Sequence, residues 1–198
     1  MTIMTNTLDD VWTHAWARLL AGATGRSDPF HQGVLANAAS EGPQARYAVL
    51  RAVDPDGGTV AFHTDRRSPK VTQLQADPRV GWCFFGHGEQ LRLAGRVQLH
   101  TDDATADAAW AASGRMARQN YAGAMAPGSR VDQPGLGGPP GLATPPLDDA
   151  ELALARSHFA LVRLQVRSLD WLSLSGAGHR RARFDRGDGA WEAHWLAP

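Results

Sequence analysis

The feature that most constrains the fold is a succession of short β-prone runs separated by tight turns between residues 33 and 100. Gly, Pro and Asp mark the connections, most clearly at Glu41–Pro43 and Asp54–Gly58. The runs themselves are rich in β-branched, aromatic or alternating apolar residues, as strands prefer. The predicted strands are Gly33–Ala39, Arg46–Val53, Gly58–Thr64, Arg79–Phe85 and Glu89–His100.

The predicted strand Glu89–His100 has a clear period of two. Its apolar residues share one face, and its polar residues share the other. The apolar face consists of Leu91, Leu93, Val97 and Leu99, and the polar face of Gln90, Arg92, Arg96 and Gln98. Gly95 in the middle of the strand predicts a bulge or a close approach of another backbone.

Helical patterns and further strands complete the chain. Helices are predicted over residues 8–21, after Ser68, from the cap at Thr101–Asp103 to Ser113, and over 148–156. Strands are predicted near 158–168, 179–185 and 190–196, after a long Gly- and Pro-rich loop at 123–147. This order predicts one domain, residues 1–198, that is mainly β with peripheral helices and has an antiparallel barrel or sandwich. It differs from the alternating βαβ order of a dinucleotide-binding domain.

Composition excludes several functional classes. The formal net charge is zero, which argues against a nucleic-acid or membrane-surface partner, because such binders carry a basic excess. No apolar run approaches the roughly 18 residues of a membrane-spanning helix. The N-terminus lacks the pattern of a secretory signal, and the single cysteine, Cys83, cannot form an internal disulfide. The histidines lack metal-ligand spacing. We therefore expect a cytoplasmic protein without a metal.

The segment from Phe62 to Lys70 carries the chain's only lysine. A strand there runs through a turn into a helix, with Ser68 at the N-cap position and Pro69 at the first helical position. A helix N-terminus presents N–H groups and partial positive charge, and nearby basic side chains add full charges, so the segment predicts a phosphate site. A solvated basic helix start has the same composition, and these residues alone leave both interpretations open.

Separated motifs then follow one another in a known order: RYAVLR at 46–51, HTDRRSPK at 63–70, Gln90, and the C-terminal HRRARF with Trp171 before it. In this order the chain resembles the pyridoxamine 5′-phosphate oxidase-like family of FMN-binding split β-barrels. The resemblance extends from the first helix to the last strand. It implies an antiparallel, Greek-key-like split barrel that binds FMN as a homodimer, with the cofactor at the subunit interface.

The resemblance also implies roles for individual residues. Arg46 would reach the FMN phosphate, which Ser68 and Lys70 would hold, and the loop 123–147 would cover the flavin. Gln90 would bond the flavin ring from the second subunit. The full set of implied cofactor-binding residues is Arg46, Val49, Leu50, Arg51, His63, Thr64, Arg67, Ser68, Lys70, Gln90, Trp171 and Arg183.

The chain departs from the full oxidases at the substrate side. Pro69 stands where those enzymes have arginine, so Arg66 or Arg67 would supply the missing charge. Residues Trp110, Ser113 and Arg115 replace a substrate-phosphate set at shifted spacing, and the C-terminal segment is one residue short. The resemblance therefore implies an FMN-dependent oxidoreductase for a small substrate. A true pyridoxamine/pyridoxine 5′-phosphate oxidase and a flavin-binding protein without turnover are the alternatives.

Overall fold

A computed structural model describes residues 7–139 and 146–198, and the chain divides into two compact units. The first unit contains the chain up to Phe62, together with Asp77–Gln98 and Arg163–Pro198. The second contains His63–Ala76 and Leu99–Val162. A single domain over residues 1–198 stays a prediction. Part of the predicted loop 123–147, residues 140–145, lies outside the described residues.

The predicted elements are present, with shifts at their ends. The strands are β1 (Gln32–Ala39), β2 (Gly42–Val49), β3 (Ala52–Asp54), β4 (Thr59–Asp65), β5 (Arg79–Gly86), β6 (Glu89–His100), β7 (Phe159–Ser173), β8 (Arg180–Arg186) and β9 (Trp191–Leu196). The helices are α1 (Leu8–Thr24), α2 (Pro69–Ala76), α3 (Ala104–Ala112), α4 (Arg115–Gln119) and α5 (Asp149–His158). Helix α4 was not predicted. None of the described helices combines the length and apolar character needed to cross a membrane.

The described strands form one nine-stranded sheet in the order β2-β1-β5-β6-β7-β4-β3, with β8 paired to β7 and β9 to β8. The pairs β1–β2, β1–β5, β3–β4, β5–β6, β7–β8 and β8–β9 are antiparallel. The predicted mainly β, antiparallel class with peripheral helices is therefore confirmed. Strand β7 continues beyond the predicted end at residue 168, so it also contains Trp171.

The predicted strand Arg46–Val53 is wrong as one element, because the chain changes partners in its middle. Strand β2 pairs with β1 as far as Val49, which lies opposite Gln32. The backbone N–H of Leu50 then donates to the carbonyl of His31 (2.9 Å), and the N–H of Arg51 donates to that of Ala61 (2.8 Å). From Ala52 the chain pairs with β4 instead. One continuous β-prone run thus forms two strands, of which β2 pairs with β1 and β3 pairs with β4.

The predicted turn Glu41–Pro43 is also displaced, because the strand begins inside it. Strand β2 starts at Gly42, whose φ of 113° suits glycine. Pro43 lies within the strand, opposite Ala38. Strand β2 ends the strand order, and proline is tolerated on such an edge because its missing N–H removes no ladder bond.

Helix α1 packs within the first unit through the predicted apolar stripe. Thr7 and Asp10 form a capping box at its N-terminus. The buried residues include Val11, Ala15, Trp16 and Leu19, whereas Leu20 is exposed. Trp12 contacts the rings of Phe184 and Trp191, with ring centroids 5.2 and 4.8 Å away. The C-terminal strands therefore share aromatic packing with the first helix.

Strand β6 has the two faces that its sequence predicts. Leu91 and Leu93 are buried, and the polar residue Arg92 between them is exposed. Gly95 marks a close backbone approach, since a Cβ atom there would lie only 2.0 Å from the carbonyl oxygen of Gln165 on β7. The position therefore requires glycine for space, as its place in the strand predicted.

Candidate functional site

In the second unit, β4 runs through a tight turn into α2. The backbone N–H of Ser68 donates to the carbonyl of Asp65 (3.0 Å), and that of Val71 donates to the carbonyl of Ser68 (2.9 Å). Helix α2 starts at Pro69, directly after Ser68. The predicted strand–turn–helix is thus confirmed, and the N-terminus of α2 faces the end of the strand through a short turn.

Three side chains of this junction, Thr64, Ser68 and Lys70, come together, and we call them the cradle. The ammonium of Lys70 donates to Thr64 Oγ1 (3.0 Å) and to Ser68 Oγ (2.8 Å). Both hydroxyl residues are buried, while Lys70 is partly exposed. A hydroxyl that accepts a hydrogen bond still has its own hydrogen to donate. One cation, two hydroxyl donors and a helix N-terminus are the groups that bind phosphate.

The two arginines of the same segment make other contacts. The guanidinium of Arg67 donates to both carboxylate oxygens of Asp65, from Nε (3.0 Å) and from Nη2 (2.7 Å). It also reaches the carbonyls of Gly123 (3.0 Å) and Ala124 (3.4 Å). Arg66 donates to the carboxylate of Asp102 at 2.9 and 3.0 Å. A compensating charge for Pro69 from either arginine stays a prediction.

His63, at the end of β4, belongs to an aromatic cluster in the second unit. Its ring meets Phe159 edge to face, with centroids 4.8 Å apart. Phe159 is buried and also contacts Trp110 and Tyr121, at centroid distances of 5.4 and 5.2 Å. Apolar packing therefore holds the strand next to the cradle. Sequence analysis did not predict this cluster, because its members come from separate parts of the chain: β4, α3, β7 and the segment that follows α4.

In the first unit, Arg46 lies on β2 and donates to the side-chain oxygen of the buried Asn37 on β1. Burial lowers the pKa of the Arg46 guanidinium below its ordinary value. The predicted ring contacts that follow on the chain, Val49, Leu50 and Arg51, lie at the break between β2 and β3. Two of their backbone N–H groups already donate within the protein: Leu50 donates to the carbonyl of His31, and Arg51 donates to the carbonyl of Ala61.

Gln90 lies opposite Phe85 on the outward face of β5 and β6. Next to it along this face, Arg92 donates to Asp170 Oδ2 on β7 (2.7 Å). Arg181 on β8 binds the same carboxylate, through bonds of 2.9 and 3.2 Å. Burial by itself would raise the pKa of the Asp170 carboxyl, but hydrogen bonds from Arg181 and Arg92 outweigh it and leave that pKa lowered.

Sequence analysis missed this network, although a carboxylate inside the apolar run SLDWLSL was a signal for it. Trp171, the residue after Asp170, is buried and lies opposite Ala182. The guanidinium of Arg180 stands 5.7 Å from the centre of its ring. Arg183 is paired with Asp185 on its own strand at 2.7 and 2.8 Å. Flavin contacts of Trp171 and Arg183 are not tested by these positions and remain predictions.

Comparison with known proteins gives a family. Residues 29–134 match a family model described as pyridoxamine 5′-phosphate oxidase. The matched range includes the cradle, Arg46 and Gln90, but not Trp171 or Arg183. A pyridoxine/pyridoxamine 5′-phosphate oxidase of Kineococcus radiotolerans is 39% identical over 62 residues, a match that covers 31% of this chain and 27% of that protein.

Solved structures show the same fold. A pyridoxamine 5′-phosphate oxidase-related, FMN binding protein of Nostoc punctiforme superposes over all of both chains with a TM-score of 0.68 and 24% identity. PhzG of Burkholderia lata, solved in complex with tetrahydrophenazine-1-carboxylic acid, superposes with a TM-score of 0.73 and 19% identity, over 100% of this chain and 99% of that one. The predicted split-barrel class is confirmed by this likeness.

Proposed function

Because the chain belongs to the pyridoxamine 5′-phosphate oxidase family, we propose that it binds FMN and is an FMN-dependent oxidoreductase for a small molecule. The cradle supports the proposal most directly. Lys70 joins the hydroxyls of Thr64 and Ser68 at the N-terminus of α2. Since FMN ends in a dianionic phosphate, this donor set suits the phosphate end of that cofactor.

Bound FMN would supply the redox chemistry, and the protein would contribute binding and orientation. Lys70 would neutralise part of the phosphate charge, and the two hydroxyls would fix the direction of its oxygens. The phosphate contact that the resemblance implies for Arg46 is also part of the proposal. The flavin contacts implied by the resemblance for Val49, Leu50, Arg51, His63, Gln90, Trp171 and Arg183 are part of the proposal.

The substrate we propose is not a vitamin B6 phosphate. Two of the three residues that would replace the substrate-phosphate set of a full oxidase are engaged elsewhere. Ser113 donates its hydroxyl to the carbonyl of Ala109 (2.8 Å), and Trp110 packs on Phe159. Arg115 is exposed at the start of α4. These three positions therefore offer a substrate phosphate fewer hydrogen-bond donors than the cradle offers the FMN phosphate.

We also propose a homodimer that uses the outward face of β2, β1, β5 and β6. Tyr47 is 73% exposed there and Phe85 is 61% exposed, and large apolar side chains on one face favour association. Small residues of the same strands line a groove of about 710 Å³, among them Gly81. Gln90 lies opposite Phe85, so a partner on this face would meet the residue expected to act across the interface.

The phosphate assignment is tested by titrating apoprotein with FMN and with riboflavin, which lacks the phosphate. Wild-type protein should prefer FMN. Replacing Lys70→Ala should weaken FMN binding by about 1.5–3 kcal/mol, the range for hydrogen bonds to charged groups, and leave riboflavin binding unchanged. Arg26→Ala, which removes an exposed cation outside these sites, is the matched control. Equal binding of both flavins, or an equal loss for both in Lys70→Ala, contradicts the cradle.

The reaction class is tested on the purified protein with its flavin, identified by absorption and by the mass of the released cofactor. Reduction of the flavin by NAD(P)H supports an oxidoreductase that takes electrons from a nicotinamide. Release of hydrogen peroxide with pyridoxamine 5′-phosphate would instead establish the vitamin B6 oxidase. A tightly held flavin that no donor reduces would favour a binding protein without turnover.

A further inference from the structure

The side chain of Arg67, next to the cradle, makes four hydrogen bonds, all of them to protein groups. The buried carboxylate of Asp65 accepts three hydrogen bonds from this one residue: from its backbone N–H (2.8 Å), from Nε (3.0 Å) and from Nη2 (2.7 Å). The remaining edge of the guanidinium faces the carbonyls of Gly123 and Ala124. The planar five-donor fork of arginine suits this arrangement, in which one group bonds to both a carboxylate and backbone.

The carbonyls that Arg67 binds are at the base of a closed loop, residues 123–139, which we call the anchored loop. Its two ends meet, since Met125 N–H donates to the carbonyl of Gly137 (2.9 Å). A Cβ atom at Gly123 would lie 3.0 Å from backbone atoms of Gly138 and Pro139. A side chain at Gly123 would therefore be crowded where the ends of the loop touch, and a displacement of Gly123 or Ala124 would move both ends.

The anchored loop also approaches the start of α2. A Cβ atom at Gly128 would lie 3.6 Å from the ring of Pro69. The loop thus approaches two positions that flank Ser68 directly in sequence: Arg67 before it and Pro69 after it. Pro69, which stands where the full oxidases have arginine in the resemblance, is the residue of α2 that Gly128 approaches.

We propose that Arg67 is a positioning residue, and that the Arg67–Asp65 pair anchors the loop 123–139 to the turn that carries the cradle. The guanidinium is then used to hold the loop rather than to bind phosphate. A ligand phosphate that fixes Thr64 and Ser68 also fixes the turn between them and the loop attached to it. Filling the cradle therefore stabilises the anchored loop further, and the loop forms a wall beside the bound molecule. The coupling to a ligand rests on the proposed function, whereas the anchoring does not.

The experiment is limited trypsin digestion, because Arg130 is the only Lys or Arg between Arg118 and Arg156 and it is exposed within the loop. The rate of cleavage after Arg130, followed by mass spectrometry, reports loop opening. Apoprotein carrying Arg67→Lys keeps a cation for Asp65 but loses the fork. Its cleavage should be about tenfold faster than in wild type, since bonds to two carbonyls are weakened. Arg66→Ala, whose partner Asp102 is outside the loop, should leave the rate unchanged.

The double variant Asp65→Asn/Arg67→Ala serves if Arg67→Lys fails to fold, because it removes the buried charge together with its partner. Thermal melts identify the variants that are folded. If the folded variant and the wild-type apoprotein are cleaved after Arg130 at equal rates, the proposed anchor is wrong, whether or not the protein binds flavin. Saturating FMN should slow the cleavage after Arg130 in the wild type, and it should slow this cleavage less in Arg67→Lys. Equal protection in both overturns the coupling. Faster cleavage of the apo variant, in a protein that binds no FMN, supports the anchor and refutes only the proposed function.

Discussion

Replacing Asp170→Asn should destabilise the protein far more than the same change at Asp185, and the comparison measures the value of one buried carboxylate. Both residues bind arginine on β8. Asp170 is only 3% exposed and holds Arg92 and Arg181. Asp185 is 41% exposed at its side chain and holds only Arg183. The two substitutions remove the same charge and keep the same shape, so the difference reports burial together with the second arginine partner.

The magnitude follows from the bonds that are lost. Three charge-assisted hydrogen bonds end on the Asp170 carboxylate, at 2.7, 2.9 and 3.2 Å. Breaking a buried ion pair typically costs about 3–5 kcal/mol. Both arginines are partly exposed, so water can solvate them in the variant, and we expect a loss of about 2–3 kcal/mol. Asp185→Asn should cost no more than about 1 kcal/mol, as exposed pairs do.

The effect should depend on pH with a definite sign. The pKa of Asp170 is lowered in the folded protein, whereas an unfolded aspartate titrates near about 3.9. A group with a lowered folded pKa stabilises the protein above its unfolded pKa, and this stability disappears as the pH falls through the folded pKa. The wild-type advantage over Asp170→Asn should therefore be complete at neutral pH and shrink below about pH 4.

Urea unfolding of the wild type and both variants at pH 7 and at pH 3 provides the measurement, with m-values compared to establish that the unfolding transition is unchanged. A cost for Asp170→Asn no larger than that for Asp185→Asn would refute the role of burial. A gap between wild type and Asp170→Asn that is unchanged at pH 3 would show that its origin is the shape of the amide rather than the carboxylate charge.

Two further outcomes test the sheet. Tyr47→Glu should convert the proposed dimer into a monomer of 21.3 kDa, because it replaces an exposed aromatic side chain of the outward face with a carboxylate that would lose water on association. Light scattering decides, and a mass that stays dimeric places the interface elsewhere. Gly95→Ala should cost about 1–3 kcal/mol, as overpacking does, because its Cβ would lie 2.0 Å from the carbonyl oxygen of Gln165. Gly176→Ala, where a Cβ atom would meet nothing within 4 Å, is the control, and equal costs in thermal melts would contradict the close approach.

The parts of the fold that follow local rules could be predicted from the sequence. The strand, turn and helix around Ser68 follow from a β-branched run and a Ser-Pro pair, and β6 follows from strict alternation. The break at Leu50 could not be predicted, because the run from Arg46 to Val53 contains no turn or breaker residue, and only a change of strand partner divides it. The edge position that accepts Pro43 is likewise set by which strands pair.

The cradle could be predicted because its members are close in sequence, within seven residues. The partners of the neighbouring arginines could not be predicted, because the sequence alone does not distinguish Arg66 from Arg67 as a phosphate contact. Long-range contacts distinguish them: Arg66 binds Asp102, and Arg67 binds Gly123 and Ala124 together with Asp65. The partners of Asp170 could not be predicted either, because strand pairing brings its two arginines to it from β6 and β8.

The position of Lys70 in the cradle has a consequence for chemical labelling. The chain contains no other lysine, so apart from its N-terminal amine it has one primary amine for an acylating reagent. That amine donates to two hydroxyls, and a phosphate ligand would hold it further. One acyl group is therefore a stoichiometric reporter of ligand occupancy, readable as one mass increment on a single peptide. The same arrangement warns that amine-directed immobilisation would modify the proposed binding site itself.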